Sequence, residues 1–550
     1  MVTRICIEFD IPAVMRDGIT LSANIFRPDD AGEYPVALCR TPYGKDTSLG
    51  PILDVVRLVR GGYIVVIQDV RGRGNSEGEW TAFKHEAQDG YDTVEWAACL
   101  PESNGNVGMF GASYVGFTQW VTAVQAPPHL KAIVPAVTWA DANDGLFRRG
   151  GAFELGLMGY LHLGAFGFET LRRAFRDGSP VEYIQTLHAL ASEIDALPAQ
   201  GFASLISHTS MTLKRLGLAD EWLAAITNPE APAYASPFAA PEAYRRVQVP
   251  AFNIGGWYDV FAQGTLHNFS AMQTSETAAR RSKLLMGPWS HVNFGSLIGE
   301  QDFGVGALLG SLDLQTDLTG LTQRWFDYWL KGIQSDIVDE PPVKLFIMGE
   351  NVWRDEHEWP LKRAKSTAYY LRDGHRLTLD SPGDESPDSY TVDPHDPTPA
   401  WGGALQMSSM VAGVKDQRPL ETRADLLVYT SEPLLQDTEV TGPIIVWLWA
   451  ATDSSDFVVR LVDVHPNGFA QNLTDGIIRA EFGDGAADPP YEFKIDLWAT
   501  ANLFKAGHRI RLQIASACFP RWNLHTSSDL RTIFHDASHP SRVMLPIIER

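Results

Sequence analysis

Four short apolar runs in the first 140 residues, none with polar alternation, restrict the fold more than any other feature of the chain. They are Val36-Ala37-Leu38-Cys39, Tyr63-Ile64-Val65-Val66-Ile67, Val107-Gly108-Met109-Phe110 and Ala132-Ile133-Val134, bounded by Gly, Pro or Asp. Runs of this length suit strands buried on both faces. Between them lie segments long enough for crossover helices, Glu86 to Leu100 and Val115 to Gln125. The alternation predicts α/β architecture with a parallel sheet.

Further along, the period changes twice. Ile184, Leu187, Ala191 and Ile194 fall at helical spacing, and Trp222, Leu223 and Ile226 continue such a pattern. Buried-strand texture returns at Pro250 to Ile254 and Lys283 to Met286. Residues 144–240 are therefore predicted to be a helical insertion in one α/β unit made of 1–143 and 241–353. The aromatic helix Trp325 to Leu330 closes that unit, and Lys331-Gly332 ends the helix. Pro, Asp, Ser and Gly crowd between 373 and 403 and predict long loops. Beyond them the period is two: Ile510, Leu512 and Ile514 alternate with Arg509, Arg511 and Gln513, a strand with one wet face. An all-β sandwich is predicted over 354–550.

Composition narrows the partners. The 550 residues suit two to four domains, and the formal net charge is −22. An acidic chain lacks the basic surface that a nucleic-acid backbone or an anionic membrane requires, so neither is an expected partner. Cys6, Cys39, Cys99 and Cys518 are widely spaced with no C-x-x-C pair, which disfavours a disulfide framework or a cysteine zinc site. Met1 to Leu21 carries Arg4, Glu8, Asp10, Arg16 and Asp17 and has no secretory apolar core. The most apolar stretch, Ile444 to Ala451, is far shorter than the roughly 20 residues that span a bilayer. A reduced, cytoplasmic setting is expected.

The chemistry concentrates at Val107-Gly108-Met109-Phe110-Gly111-Ala112-Ser113-Tyr114-Val115-Gly116. A buried strand runs through Gly111-x-Ser113 directly into a helix, the layout of a nucleophile elbow. The helix N-terminus offers the Tyr114 N–H to a developing oxyanion. The last glycine lies three positions after Ser113 rather than two, so the motif alone admits a structural serine as well. An elbow serine needs a base and an orienting carboxylate, in the chain order Ser, Asp, His. Asp259 follows the strand ending at Ile254 through Gly255-Gly256-Trp257-Tyr258. His291 follows the strand ending at Met286 through Gly287-Pro288-Trp289-Ser290. Both leave the C-terminal ends of buried strands, where α/β sheets place their ligand crevice. The loop Arg40-Thr41-Pro42-Tyr43-Gly44-Lys45 lacks an HGGG-type run. Its Tyr43 could donate a phenolic hydrogen bond or be a packed interface tyrosine.

Taken together, Gly111-Ala112-Ser113-Tyr114-Val115-Gly116, Ile67-Gln68-Asp69-Val70-Arg71-Gly72, Pro42-Tyr43, Gly255-Gly256-Trp257-Tyr258-Asp259 and Gly287-Pro288-Trp289-Ser290-His291 resemble the bacterial cocaine esterase group. That group belongs to the X-prolyl dipeptidyl-peptidase-like hydrolases, with the α-amino acid ester hydrolases and glutaryl acylases. The likeness continues through Trp325 to Gly332, Phe346-Ile347-Met348-Gly349 and Leu461-Val462-Asp463-Val464. It implies an α/β-hydrolase core, a helical cap over 144–240 and a jelly-roll-like β domain over 354–550. It also implies Ser113 as nucleophile, His291 as general base and acid, Asp259 as orienter, and the Tyr43 hydroxyl with the Tyr114 N–H as oxyanion hole. The glycine offset in the elbow is the family's own pattern.

α-Amino acid ester hydrolases carry acidic residues two and three positions after the aspartate, where this chain has Phe261 and Ala262. A buried ammonium there would lack a carboxylate, so α-amino acyl substrates are disfavoured. Phe261 is expected to line an aromatic acyl pocket, with Leu146, Phe147, Tyr160 and Met407 as further candidates.

The expected activity is cofactor-free, metal-free hydrolysis of small-molecule carboxylic esters, extending to some amides. An X-Pro dipeptidyl-peptidase or amide acylase is the alternative, and a non-catalytic carbohydrate-binding protein using the tryptophans of its β domain is a remote one. A homodimer stays open. Gly72-Arg73-Gly74-Asn75-Ser76-Glu77-Gly78 is not read as a dinucleotide loop, since its third glycine is one residue late and no helix pattern starts there. No H-E-x-x-H occurs. Asp69 and Arg71 are expected to form an ion pair beneath the site.

Overall fold

The structure is a computed structural model. It describes residues 4–47, 52–176, 178–197, 201–207, 210–236, 238, 242–275, 277–407, 412–452, 455–480, 489–525 and 530–549.

Ten strands form the first sheet: β1 (Ile5–Val14), β2 (Thr20–Pro28), β3 (Tyr34–Thr41), β4 (Ile64–Asp69), β5 (Ser103–Ala112), β6 (Leu130–Ala136), β7 (Phe252–Tyr258), β8 (Lys283–Ser290), β9 (Val343–Ile347) and β10 (Val352–Glu356). Their spatial order is β1-β2-β4-β3-β5-β6-β7-β8-β9-β10. The seven strands from β4 to β9 run parallel, and β1, β2 and β10 are antiparallel additions at the edges. Every residue of β4, β7 and β8 is buried, which explains apolar runs without alternation. The chain steps from β3 outward to β4, then returns to place β5 on the other side of β3. That reversal opens a crevice beyond the C-terminal ends of β3 and β5. Tyr43 and Ser113 stand there.

Both connectors placed beyond the expected strand ends are themselves strand. β7 continues to Tyr258 and β8 to Ser290, so Asp259 and His291 follow directly on fully buried strands. Glycine permits this, because a Cβ on Gly256 would collide with the Trp289 carbonyl of the neighbouring strand.

Residues 155–246 between β6 and β7 are mainly helical. The helix Pro180–Ala196 turns half of the expected stripe inward, with Leu187 and Ile194 packed against the apolar core. It buries Thr186 and Leu190, whereas Ile184 is 51% exposed; on the helix Ala219–Thr227, Trp222 is buried and Leu223 exposed. Apolar residues ring both helices, so periodicity alone leaves the buried face open. Packing of Pro180–Ala196 against the helices Gly167–Ala174 and Met211–Leu216 selects it.

The C-terminal region is an eleven-stranded β structure. Its long strand Thr438–Ala451 pairs with Tyr491–Phe504 on one edge and with Arg542–Ile548 and Leu530–Phe534 on the other. Two strands fall within the segment expected to be loops. Asp388–Thr391 pairs with Leu530–Phe534, and Arg376–Thr378 pairs with Lys365–Arg372. Main-chain pairing with distant residues leaves no trace in composition. On Arg509–Ala515, Gln513 is fully buried rather than wet. It donates to Glu421 at 2.9 Å beneath the chain segment that covers that face.

A continuous apolar core joins the two sheets, taking Phe110, Trp257 and Trp289 together with Leu497, Phe504 and Leu512. Tyr258 donates to the Asn472 carbonyl at 2.9 Å and Trp498 to Asp144 at 3.0 Å. A buried charge cluster lies beside them: Arg521 binds both Asp475 oxygens at 2.7 and 2.8 Å, and Arg149 reaches the same carboxylate at 3.2 Å. The expected Asp69–Arg71 pair does not form. Arg71 binds Asp89 at 2.7 Å and Asp17 at 2.8 Å, whereas Asp69 accepts the backbone N–H groups of Lys45 and Asn75 at 2.5 and 2.9 Å. Residues two apart on a strand share a face, but β4 ends at Asp69 and Arg71 already lies in the turn that follows, so the strand rule does not bring them together. Among the described residues no helix is long and apolar enough to cross a membrane.

Candidate active site

Ser113 sits between β5 and the helix Tyr114–Val124 at φ 61° and ψ −123°, a left-handed region that costs a non-glycine residue about 1–3 kcal/mol. The surroundings hold it there. Its N–H donates to the Ala136 carbonyl at 2.9 Å, and its carbonyl accepts from Gly116 at 2.8 Å and Phe117 at 3.0 Å. Gly116 is small because a Cβ there would press on Thr138 at 2.8 Å. The helix is buried on every side, so the strained turn is clamped from both directions.

His291 links the other two predicted residues. Its Nδ1 lies 2.8 Å from Asp259 Oδ1 and its Nε2 lies 2.9 Å from Ser113 Oγ. Asp259 is fully buried and His291 is 8% exposed. A buried carboxylate at Nδ1 favours the tautomer with the proton on that nitrogen, leaving the Nε2 lone pair for the serine hydroxyl. The ring is also held edge-on by Phe261, with centroids 5.1 Å apart.

Tyr43 and Tyr114 flank the serine, with ring centroids 6.4 Å apart. Burial pushes the Tyr43 hydroxyl up, and the Ser113 side chain beside it pulls the other way. As the first residue of its helix, Tyr114 has an N–H without an intrahelical acceptor. Beyond these, sequence reasoning missed the residues that hold both tyrosines. The Tyr114 hydroxyl donates to Glu86 Oε1 at 3.0 Å and accepts from the Phe83 N–H at 2.8 Å. Glu86 Oε2 then pairs with buried Arg40 at 3.0 Å. Arg73, 2% exposed, donates to the Pro42 carbonyl at 2.8 Å and to Thr170 at 2.7 Å, tying the Tyr43 loop to the helical segment. Burial lowers its guanidinium to about 10. The only local signal for Arg73 was the glycine-flanked run in which it lies; nothing marked Glu86 or Phe83.

All the acyl-pocket candidates fall in one apolar cluster with Tyr114. Phe261, Leu146, Phe147 and Met407 are buried members, and half-buried Tyr160 packs on its edge. Trp139, not foreseen, contacts Phe261 at 5.0 Å between centroids. Met407 comes from the C-terminal region and presses on Gly156, where a Cβ would collide with its sulfur. Leu146 has no exposed surface. Phe83 and Phe147 also line a cavity of about 390 Å³ with Trp80, Asp220, Glu221 and Tyr234.

Comparison with known proteins gives a consistent picture. Residues 17–293 match the X-Pro dipeptidyl-peptidase (S15 family), and residues 335–544 match the X-Pro dipeptidyl-peptidase C-terminal non-catalytic domain. The chain is 34% identical to cocaine esterase of Rhodococcus sp. (strain MB1 Bresler), covering 98% of this chain and 97% of that protein. Among solved structures, an α-amino acid ester hydrolase labelled with selenomethionine superposes with a TM-score of 0.79 at 25% identity, over 99% of this chain and 96% of that one. An aminopeptidase from the marine sediment archaeon Thaumarchaeota archaeon shares the fold, with a TM-score of 0.77 at 23% identity over 100% and 97%.

Proposed function

Because the chain belongs to the X-Pro dipeptidyl-peptidase (S15) family, we propose that it hydrolyses esters through Ser113 as nucleophile, His291 as general base and acid, and Asp259 as the carboxylate that orients the imidazole. The protein is an ester-hydrolysing serine hydrolase. The observation that carries the residue assignment is the unbroken relay from Asp259 through His291 to Ser113 at 2.8 and 2.9 Å.

Ser113 Oγ attacks the ester carbonyl as its proton passes to His291 Nε2. The resulting oxyanion accepts from the Tyr43 hydroxyl and the Tyr114 N–H. The C–O bond to the leaving group breaks while His291 returns the proton to the departing alkoxide. Water then enters, gives its proton to the same nitrogen, and releases the acid from the acyl-enzyme. Residues 1–143 and 241–353 are assigned to this catalytic unit, 144–240 to a cap, and 354–550 to a jelly-roll-like β domain that contributes Met407.

The acyl group is proposed to be aromatic or apolar, bounded by Phe261, Phe147 and Tyr160. Phe261 and Ala262 put no carboxylate beside Asp259 for a free amino terminus, which supports esters ahead of X-Pro peptides. The unpaired state of all four cysteines supports a reducing, cytoplasmic setting. All sixteen tryptophans are buried or half-buried, which argues against a sugar-stacking platform.

The test is labelling with a fluorophosphonate followed by peptide mapping. The adduct is expected on Ser113, and Ser113→Ala should lower kcat by roughly 10⁶-fold. Labelling elsewhere, or full activity in the variant, would end the assignment. Parallel rates on a benzoyl ester and an X-Pro anilide separate the ester reading from the peptidase reading.

A further inference from the structure

We propose that Asp463, His465 and His508 form a binding site for one divalent first-row transition ion of the zinc class, behind the contact between the two sheets. The strand register brings these residues together. Ser455–Val464 pairs antiparallel with Arg509–Ala515, with Asp463 opposite Ile510 and Val464 opposite Arg509. One step further, His465 opens the hairpin turn to Ala470–Ala480 and His508 stands just before Arg509–Ala515, so the two histidines face each other. Asp463 is the penultimate residue of Ser455–Val464, and His465 follows two positions later at the start of the turn. The His465 and His508 rings lie 4.5 Å apart between centroids.

One ligating atom from each side chain falls within 4.8 Å of the others. A tetrahedral ion with 2.0–2.1 Å bonds separates its ligands by about 3.3 Å, a contraction that side-chain rotation supplies. Both histidines are anchored by their backbones: His465 N donates to the Phe469 carbonyl at 2.9 Å and His508 N to the Lys505 carbonyl at 3.0 Å.

The donor chemistry selects the ion. Two imidazoles and one carboxylate suit zinc, cobalt or nickel, whereas calcium and magnesium take oxygen ligands. His508 Nδ1 lies 2.8 Å from Asp463 Oδ1, and an ion there replaces the proton they share. A supporting shell is present: Asn502 donates to Asp463 Oδ2 at 3.2 Å. Gln471, opposite Asp463 in the next strand, reaches the Tyr258 hydroxyl at 3.4 Å. Tyr258 ends β7 immediately before Asp259. No atom of the cluster belongs to the proposed relay. Its effect is to lock the C-terminal sheet onto the strand that carries the catalytic carboxylate.

The experiment uses the full chain, stripped with a chelator and then titrated with zinc(II) alone by calorimetry and with cobalt(II) alone by visible absorption. One ion per chain, cobalt d–d absorption and a higher Tm with zinc are expected, with ester hydrolysis by the stripped enzyme retained. His465→Ala, on a half-buried turn, should weaken binding at least about 100-fold, and Asn502→Ala about 10–100-fold. His465→Asn, with circular dichroism on each variant, separates loss of the ligand from loss of the fold. Absence of binding by the wild-type chain, unchanged affinity in both His465 variants, or loss of hydrolysis on stripping overturns the proposal.

Discussion

Tyr114 donates its hydroxyl hydrogen to Glu86 Oε1 across 3.0 Å, with both side chains about 2% exposed. The residue whose backbone N–H is proposed to hold the oxyanion is thus fixed at its far end by a buried acid, itself paired with Arg40. Phe83 completes the lock from a strained backbone, φ 69°, with its ring stacked on Tyr114 at 4.8 Å. Tyr114→Phe keeps the backbone donor but leaves the Phe83 N–H and the Glu86 carboxylate without their partner. Stability should fall by about 1–3 kcal/mol, read from the denaturant midpoint, while kcat changes less than about tenfold. A kcat loss as large as that of a missing oxyanion donor would show that the hydroxyl acts in the reaction itself.

Tyr43→Phe makes the opposite separation. The ring and its packing remain, and a single donor facing Ser113 is removed. The expected cost is about 10²–10³-fold in kcat with little change in the unfolding midpoint. An unchanged rate on the same ester would assign the oxyanion to other donors.

Phe261→Ala tests the acyl wall. Burying a phenyl-sized group contributes about 1.5–3 kcal/mol, so kcat/KM for a benzoyl ester should drop about 10- to 150-fold. An acetyl ester, which does not reach the wall, should lose much less. Equal losses on both esters would mean that Phe261 acts by positioning His291, which it contacts edge-on.

Glu154 gives the interface a pH signature. It is 1% exposed, and burial raises its carboxyl to about 7 from 4.5, against the opposing pull of Arg521 and of the Trp522 N–H at 2.8 Å. The unfolded chain releases this proton near 4.5 and the folded chain near 7. Between those values the native state binds more protons, so stability declines as pH rises from about 4.5 to about 7. Glu154→Gln keeps an acceptor for Trp522 and cannot titrate, so its decline across that window should be shallower. Burial also raises Asp69, to about 6, but that slope is common to both proteins and cancels in the difference. Identical urea midpoints against pH in the two proteins would rule out this role for Glu154.

The relay residues were legible because each follows a local pattern that needs no distant partner to be recognised. An apolar strand runs into Gly-x-Ser and a helix, and two further strands end one residue before Asp259 and His291. The supporting groups had no such mark. Glu86 looks like any acidic residue in the first turn of a helix, yet it is the buried anchor of Tyr114. Arg71 has several carboxylates within reach in sequence, and the fold gives it Asp17 and Asp89 rather than Asp69.

Strand and helix character, the chain order of serine, aspartate and histidine, and the α/β-to-β change of texture are written in neighbouring residues, because periodicity and turn chemistry act over a few positions. Partner choice is different. The phase of Pro180–Ala196, the burial of Gln513, the approach of Met407 to Gly156 and the meeting of His465 with His508 depend on which distant surfaces pack together. Many side chains of the same type compete for each contact, and only three-dimensional packing and the desolvation it imposes select among them.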